Sequence, residues 1–255
     1  MGAFKDVGTL VEKFNKNLYD NETQQARKLI IKNNYIYVEG YKNDAISIIN
    51  SIKSLTNEGV DNYSNAVKHW LDEQSYFNIS DEKKNAMQHM FESSKVSVIY
   101  GAAGTGKTTL ISCISSFFKD YSKLYLAHTN SAVNNLKRRV GESKNNKFMT
   151  VSKFNSKFNK NTDRNYDIFI IDECSTINNR EMKDLLEFSK FKLLILVGDV
   201  YQIEAIEFGN WFDLIRHFLP QSSICELKIP FRSENQKFLE LWSSVRENKD
   251  DILDR

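Results

Sequence analysis

Eight residues constrain this chain more than any others. Gly101-Ala102-Ala103-Gly104-Thr105-Gly106-Lys107-Thr108 fits the pattern G-x-x-x-x-G-K-[ST]. The short apolar run Val96-Ser97-Val98-Ile99-Tyr100 precedes it, and a helix is expected from Lys107 to about Phe118. A buried strand that turns through glycines straight into a helix needs a sheet to belong to and a face for the helix to cover. The turn also carries chemistry. Glycines let backbone N–H groups turn inward around phosphate oxygens, and the helix N-terminus adds a positive field. Gly101 through Thr108, with Thr109 beyond them, form the candidate nucleotide-binding segment. Lys107 is expected to reach the β- and γ-phosphates and Thr108 to ligand Mg²⁺.

The pattern around this loop is one of strands alternating with helices. Leu124–Ala127, Asp167–Ile171 and Lys192–Val197 are apolar runs of strand length, and residues 80–93 and 131–140 have helical spacing. Continuous apolar strands separated by helices mean a parallel sheet covered on both faces, an α/β fold. Residues 1–78 differ. Leu10, Val11, Phe14 and Leu18, then Ala45, Ile48, Ile49, Ile52 and Leu55, then Ala66, Val67, Trp70 and Leu71 recur at helical spacing. They predict three or four amphipathic helices that serve packing, a short strand at Tyr35–Val38, and breaks at Gly40 and Gly59. Pro220 and Pro230 punctuate a turn-rich exit into a last helix at about Glu234–Glu247. The organisation expected is a mainly helical region at 1–78, the α/β domain at 79–228, and at 229–255 a C-terminal extension or the start of another unit.

Composition sets the outer limits. The 255 residues are 41% hydrophobic and 27% charged, ordinary for a globular chain. Cys113, Cys174 and Cys225 are odd in number and contain no CxxC pair, which excludes a disulfide framework and a cysteine zinc site. No apolar run approaches the ~20 residues that span a bilayer, and the charged N-terminus is no signal peptide. These features predict a soluble, cytoplasmic chain with no membrane association. The net charge is only +2, yet residues 121–160 hold nine Lys or Arg (Lys123, Lys137, Arg138, Arg139, Lys144, Lys147, Lys153, Lys157 and Lys160) against Glu142 alone. A local basic stripe on a near-neutral chain is the footprint of polyanion binding, or a solvated lysine-rich face. Phe148, Phe154 and Phe158 are interleaved with it, as base stacking or core packing would require.

Two further strand ends complete a candidate site. Asp172 follows the run Asp167–Ile171 and would emerge where the glycine loop emerges, on a neighbouring strand, to hold Mg²⁺. Glu173 would orient and deprotonate an attacking water. Gln202, just after the third strand, could touch the γ-phosphate and the water. Cys174 and Ser175 read as packing and cap residues.

Six segments in order resemble the superfamily-one helicases, nearest the RecD-like branch. Gly101–Thr108 is similar to motif I, residues 126–136 to motif Ia, Thr150–Phe154 to motif Ib, Ile171–Ser175 to motif II, Gly198–Gln202 to motif III and Leu227–Arg232 to motif IV. The resemblance covers residues 80 to about 247. It implies a RecA-like P-loop domain that uses ATP and Mg²⁺. Gln202 would sense the γ-phosphate, and Arg232 would contact it from the edge of a second motor domain. Thr129 and Asn130 would touch a single DNA strand, with Thr150, Ser152, Lys153 and Phe154 continuing that track. Lys83 stands where the family places an adenine-reading glutamine, Ser152 replaces a frequent histidine, and Ile203 a leucine. Motifs V and VI are absent. The expectation is therefore the first motor domain of an ATP-driven DNA helicase, slow on its own and completed by a second domain or a partner. The alternative is a nucleotide-dependent switch that recruits a partner without unwinding.

Overall fold

The computed structural model describes residues 3–74, 79–156, 164–199 and 209–228. The chain begins with α1 (Ala3–Lys16), the single turn α2 (Glu22–Gln25) and a hairpin of β1 (Leu29–Lys32) and β2 (Tyr35–Val38). The hairpin turns at Asn33 and Asn34, whose φ values of 50° and 65° suit a two-residue turn that matches strand twist. The strand anticipated at Tyr35–Val38 thus has a partner, with Leu29 opposite Val38. Gly40 is no break. It lies in the first turn of α3 (Glu39–Lys53), and its N–H donates to Ala26 O at 3.0 Å. A Cβ there would fall 2.4 Å from that oxygen.

Next come α4 (Tyr63–Glu73), α5 (Asp81–His89), β3 (Val96–Gly101), α6 (Lys107–Phe117), β4 (Lys123–Ala127), α7 (Asn130–Val140), β5 (Asn146–Thr150) and α8 (Val151–Asn155). After them run β6 (Ile168–Ile171), α9 (Asn179–Phe188), β7 (Leu193–Gly198), α10 (Trp211–Ile215) and β8 (Ile224–Leu227). The last six strands form one sheet in the order β5-β4-β6-β7-β3-β8, and all its pairs are parallel.

Side-chain alternation splits the interior into two cores, one on each face of the sheet. Val96, Val98, Leu124, Leu126, Phe169, Ile171, Leu194 and Leu196 face one core. Ile99, Tyr125, Ala127, Ile168, Ile170, Ile195 and Val197 face the other. The N-terminal helices join both. α3 inserts Ile48 and Ile52 into the first core, beside α9. Lys183 pairs with Asp44 at 2.8 Å, and the Asn179 amide donates to Tyr41 O. α4 inserts Tyr63 and Val67 into the second core, where the Tyr63 hydroxyl donates to Met87 O at 2.8 Å.

Periodicity did not reveal β5, β8 or α9, and two of these are short or marginal. β5 (NKFMT) has one buried side chain, and β8 is four residues long. α9 starts from a capping box, in which Asn178 accepts from the Glu181 N–H and the Glu181 side chain accepts from the Asn178 N–H. One member of the basic stripe is not on the surface. Lys123 is 1% exposed, and its ammonium donates to Phe118 O and Tyr121 O. Burial lowers its pKa. Among the described residues, no helix is long and apolar enough to cross a membrane.

If α3 is integral to the sheet's cover, Ile52→Ala should cost about 2–4 kcal/mol, the range for emptying a fully buried aliphatic site. Urea unfolding of the whole chain measures it, and a loss below about 0.5 kcal/mol would mean that α3 is loosely attached.

Candidate functional site

The glycine loop leaves the sheet at the carboxyl end of β3. Thr105 is buried and folds back on the loop, its hydroxyl donating to Ala102 O at 2.9 Å. A Cβ at Gly101 would lie 2.6 Å from that hydroxyl, so the strand end must be glycine for the loop to close. Gly104 and Gly106 have φ of 87° and 85°, a region closed to most side chains, and Gly106 caps α6. Left-handed turns here let successive N–H groups face one concavity at the helix N-terminus. The Lys107 ammonium donates to Gly101 O at 2.5 Å and Ala102 O at 3.1 Å. Ala102 is buried, Ala103 exposed, and Thr108 half-buried. A cavity of about 630 Å³ opens here, lined by Gly104, Gly106, Lys107, Thr108, Thr109, Ser112 and Arg139.

Lys83 packs beneath this loop. It is 2% exposed, and its Cε lies 2.6 Å from where a Gly106 Cβ would stand. Its ammonium is 3.4 Å from the Ser80 hydroxyl, and burial lowers its pKa. Gly106 is thus required by its backbone angle, and Lys83 packs close against it.

Asp172 leaves the sheet at the end of β6, with its N–H bonded to Leu126 O at 2.8 Å. β6 is not beside β3; β7 lies between them. Asp172 and Lys107 nevertheless feel each other's charge. Burial pushes the Asp172 carboxyl up to about 6; the Glu173 charge adds to the rise, while the Glu173 N–H and Lys107 oppose it. Glu173 has φ of 55°, a conformation costly for a residue with a side chain. Hydrogen bonds hold it there: its N–H donates to Asp172 Oδ1 at 2.9 Å, and its carbonyl accepts from the Thr176 N–H and hydroxyl. Cys174 is fully buried, its thiol 3.2 Å from Ile171 O and raised in pKa by burial, so it packs rather than attacks. Asp199, just past β7, is buried. Gln202 and Arg232 lie outside the described residues, as do Phe158 and the helix anticipated at 234–247.

The donor set fits a hard cation. Thr108 and Asp172 offer oxygens only, and Mg²⁺ takes one or two protein oxygens while keeping water and phosphate oxygens. Among the described residues, no three His, Cys, Asp or Glu side chains cluster into a cage of their own.

The residues expected along a nucleic-acid strand divide. β4 and β5 end side by side, with Ala127 opposite Thr150. The Thr129 hydroxyl accepts from the Ala132 N–H and caps α7; Thr150 accepts from the Lys153 N–H and caps α8. Asn130, Ser152 and Lys153 are exposed on this rim. Phe154 is not. It is wholly buried, edge-on to Phe169 at 5.7 Å, and cannot stack on a base. Phe148 lies flat on Tyr125 at 4.6 Å. His128 is exposed, 3.8 Å from the Glu181 carboxylate. Arg139 was legible only as part of a basic run. It reaches the cavity because α7 packs along α6, with the Ser112 hydroxyl 3.4 Å from Arg139 O.

A profile of the AAA domain matches residues 78–254. The chain belongs to the AAA domain family. Its α/β architecture is the RecA-like P-loop fold. Similar proteins include an uncharacterized protein of Methanocaldococcus jannaschii, 29% identical over 197 residues, and conjugal transfer protein TraA of Rhizobium radiobacter, 26% identical over 143. These matches cover 67% and 54% of this chain but only 17% and 13% of the relatives, so the chain spans less than a fifth of their length. Among solved structures, the Pif1 helicase of Candida albicans aligns with a TM-score of 0.48 at 22% identity, over 68% of this chain and 46% of that one. Pif1 of Bacteroides sp in complex with ADP-AlF4 aligns at 0.47 and 17%, over 69% and 48%.

In this AAA domain the raised Asp172 pKa has a definite sign. The folded chain holds a proton between pH 4 and 6 that the unfolded chain releases, so stability falls as pH rises through that window. Asp172→Asn should therefore stabilise the fold at pH 7.5 by on the order of 2 kcal/mol and by almost nothing at pH 3.5. Urea midpoints at the two pH values test this, and an equal offset at both would contradict it.

Proposed function

We propose that this domain binds and hydrolyses ATP as the first motor domain of a RecD-like DNA helicase, coupling turnover to single-stranded DNA binding or translocation. One observation carries the reading: the glycine loop with Lys107 leaves β3, and Asp172 leaves β6, at the same edge of the parallel sheet, with only β7 between the two strands. In the proposed reaction the loop's N–H groups and Lys107 hold the phosphates and offset charge that builds up on them. Thr108 and Asp172 would hold Mg²⁺, which would supply further charge neutralisation. Glu173 orients a water for in-line attack and takes its proton. Gln202 and Arg232 would add contacts to the γ-phosphate.

The single-strand path runs over the adjoining ends of β4 and β5, past Thr129, Asn130, Thr150, Ser152 and Lys153. The helix N-termini that follow these two strand ends suit phosphate oxygens, and Lys153 adds charge. Kinship with a protein named for conjugal transfer is in keeping with such a substrate.

Lys107→Ala should abolish ATP binding measured by calorimetry, whereas Glu173→Gln should keep binding within about threefold and lower turnover by at least ~10²-fold. Turnover retained in Glu173→Gln would assign the water to another group, and unchanged affinity in Lys107→Ala would remove the site. Charge reversal at the exposed Lys147 and Lys153 should flatten the salt dependence of single-strand binding, by about 0.7 in log–log slope for each phosphate that is no longer neutralised. An unaltered slope would leave these lysines as solvated surface.

A further inference from the structure

The three cations that close α7 are not equivalent. Lys137 pairs with Glu142 at 2.9 Å, and Arg138 donates to the Asn135 side chain at 3.0 Å. Arg139 has no carboxylate partner among the described residues, and it lines the cavity that begins at the glycine loop. Its place along that cavity matters. Phosphate-binding N–H groups belong to the first turn of α6, which starts at Lys107. Ser112, five residues further on, is about 7.5 Å down the helix axis. The Ser112 hydroxyl donates to the Arg139 carbonyl, so the α7 backbone is tied at that lower level. Arg139 is therefore anchored level with Ser112, beyond the turn that carries the phosphate cradle, and lines the cavity from there. A nucleotide seated by its phosphates continues from the cradle as ribose and base. A planar guanidinium suits the face of a planar heterocycle.

We propose that Arg139 is a nucleotide-binding residue that holds the base end of the ligand, not part of the single-strand path. This rests on the cavity being the nucleotide site proposed above. The basic stripe then divides by task, with Arg139 turned to the nucleotide and Lys147 and Lys153 left for a polyanion.

The experiment compares ATP with inorganic tripolyphosphate, which keeps the charges and lacks the base, by calorimetry on the full chain with Mg²⁺. Arg139→Ala should weaken ATP about five- to tenfold, the scale of a guanidinium–ring interaction, and leave tripolyphosphate within twofold. Arg139→Lys, which keeps the charge but not the plane, should recover little of the ATP affinity. Equal weakening of both ligands would place Arg139 on the phosphates and overturn the proposal. Unchanged ATP affinity in Arg139→Ala would overturn it too. A wild-type chain that binds neither ligand would bring down the nucleotide reading itself, whereas wild-type binding of both with Arg139→Ala indistinguishable would sink only the assignment of Arg139.

Discussion

Burial of both faces of the parallel sheet is the constraint on which the rest depends. Strands such as β3, β6 and β7 carry apolar side chains in both directions, so each connection between them must cross a face as a covering helix. Parallel strands then deliver all their exits to a single edge. The glycine loop, Asp172-Glu173, the α7 and α8 caps and Asp199 sit on that edge because the sheet permits nowhere else for the chain to turn. The chemistry of the site is thus a by-product of a packing rule, applied to residues that are far apart in sequence.

The rim is also where local order is least comfortable. Gly104 and Gly106 occupy left-handed angles at no cost in side-chain clash, but Glu173 adopts one with a full side chain. Desolvation raises the pKa of Asp172. Each is held by neighbours: the loop by Thr105 and by the packed Lys83, the acidic turn by Thr176 and by its own N–H. A fold assembled for stability alone would place asparagine or glycine at 173 and an apolar residue at 172.

Most of the fold was readable because its strands are uniformly apolar and its helices well spaced. β3, β4, β6 and β7 begin and end within a residue or two of where the pattern put them. β5 was missed because an edge strand with one buried side chain carries no alternation. The order of strands was less accessible. Nothing in a run such as LLILVG says that it will slip between β3 and β6, for that is decided by which helices cross which face. The glycine loop was legible in full, since its spacing is its mechanism. Phe154 misled because an aromatic among lysines looks alike whether it stacks on a base or on Phe169. Arg139 could be found only by packing one helix against another.

The intervening position of β7 has a mechanical consequence. It is hydrogen-bonded along its length to β3 on one side and to β6 on the other. The phosphate loop and the acidic pair are therefore held two strand spacings apart, roughly 9.5 Å, by a ladder that neither can stretch alone. β7 acts as a gauge block. The ladders on its two sides set the width between the jaws of the cleft, so the spacing is a property of the sheet and not of either loop.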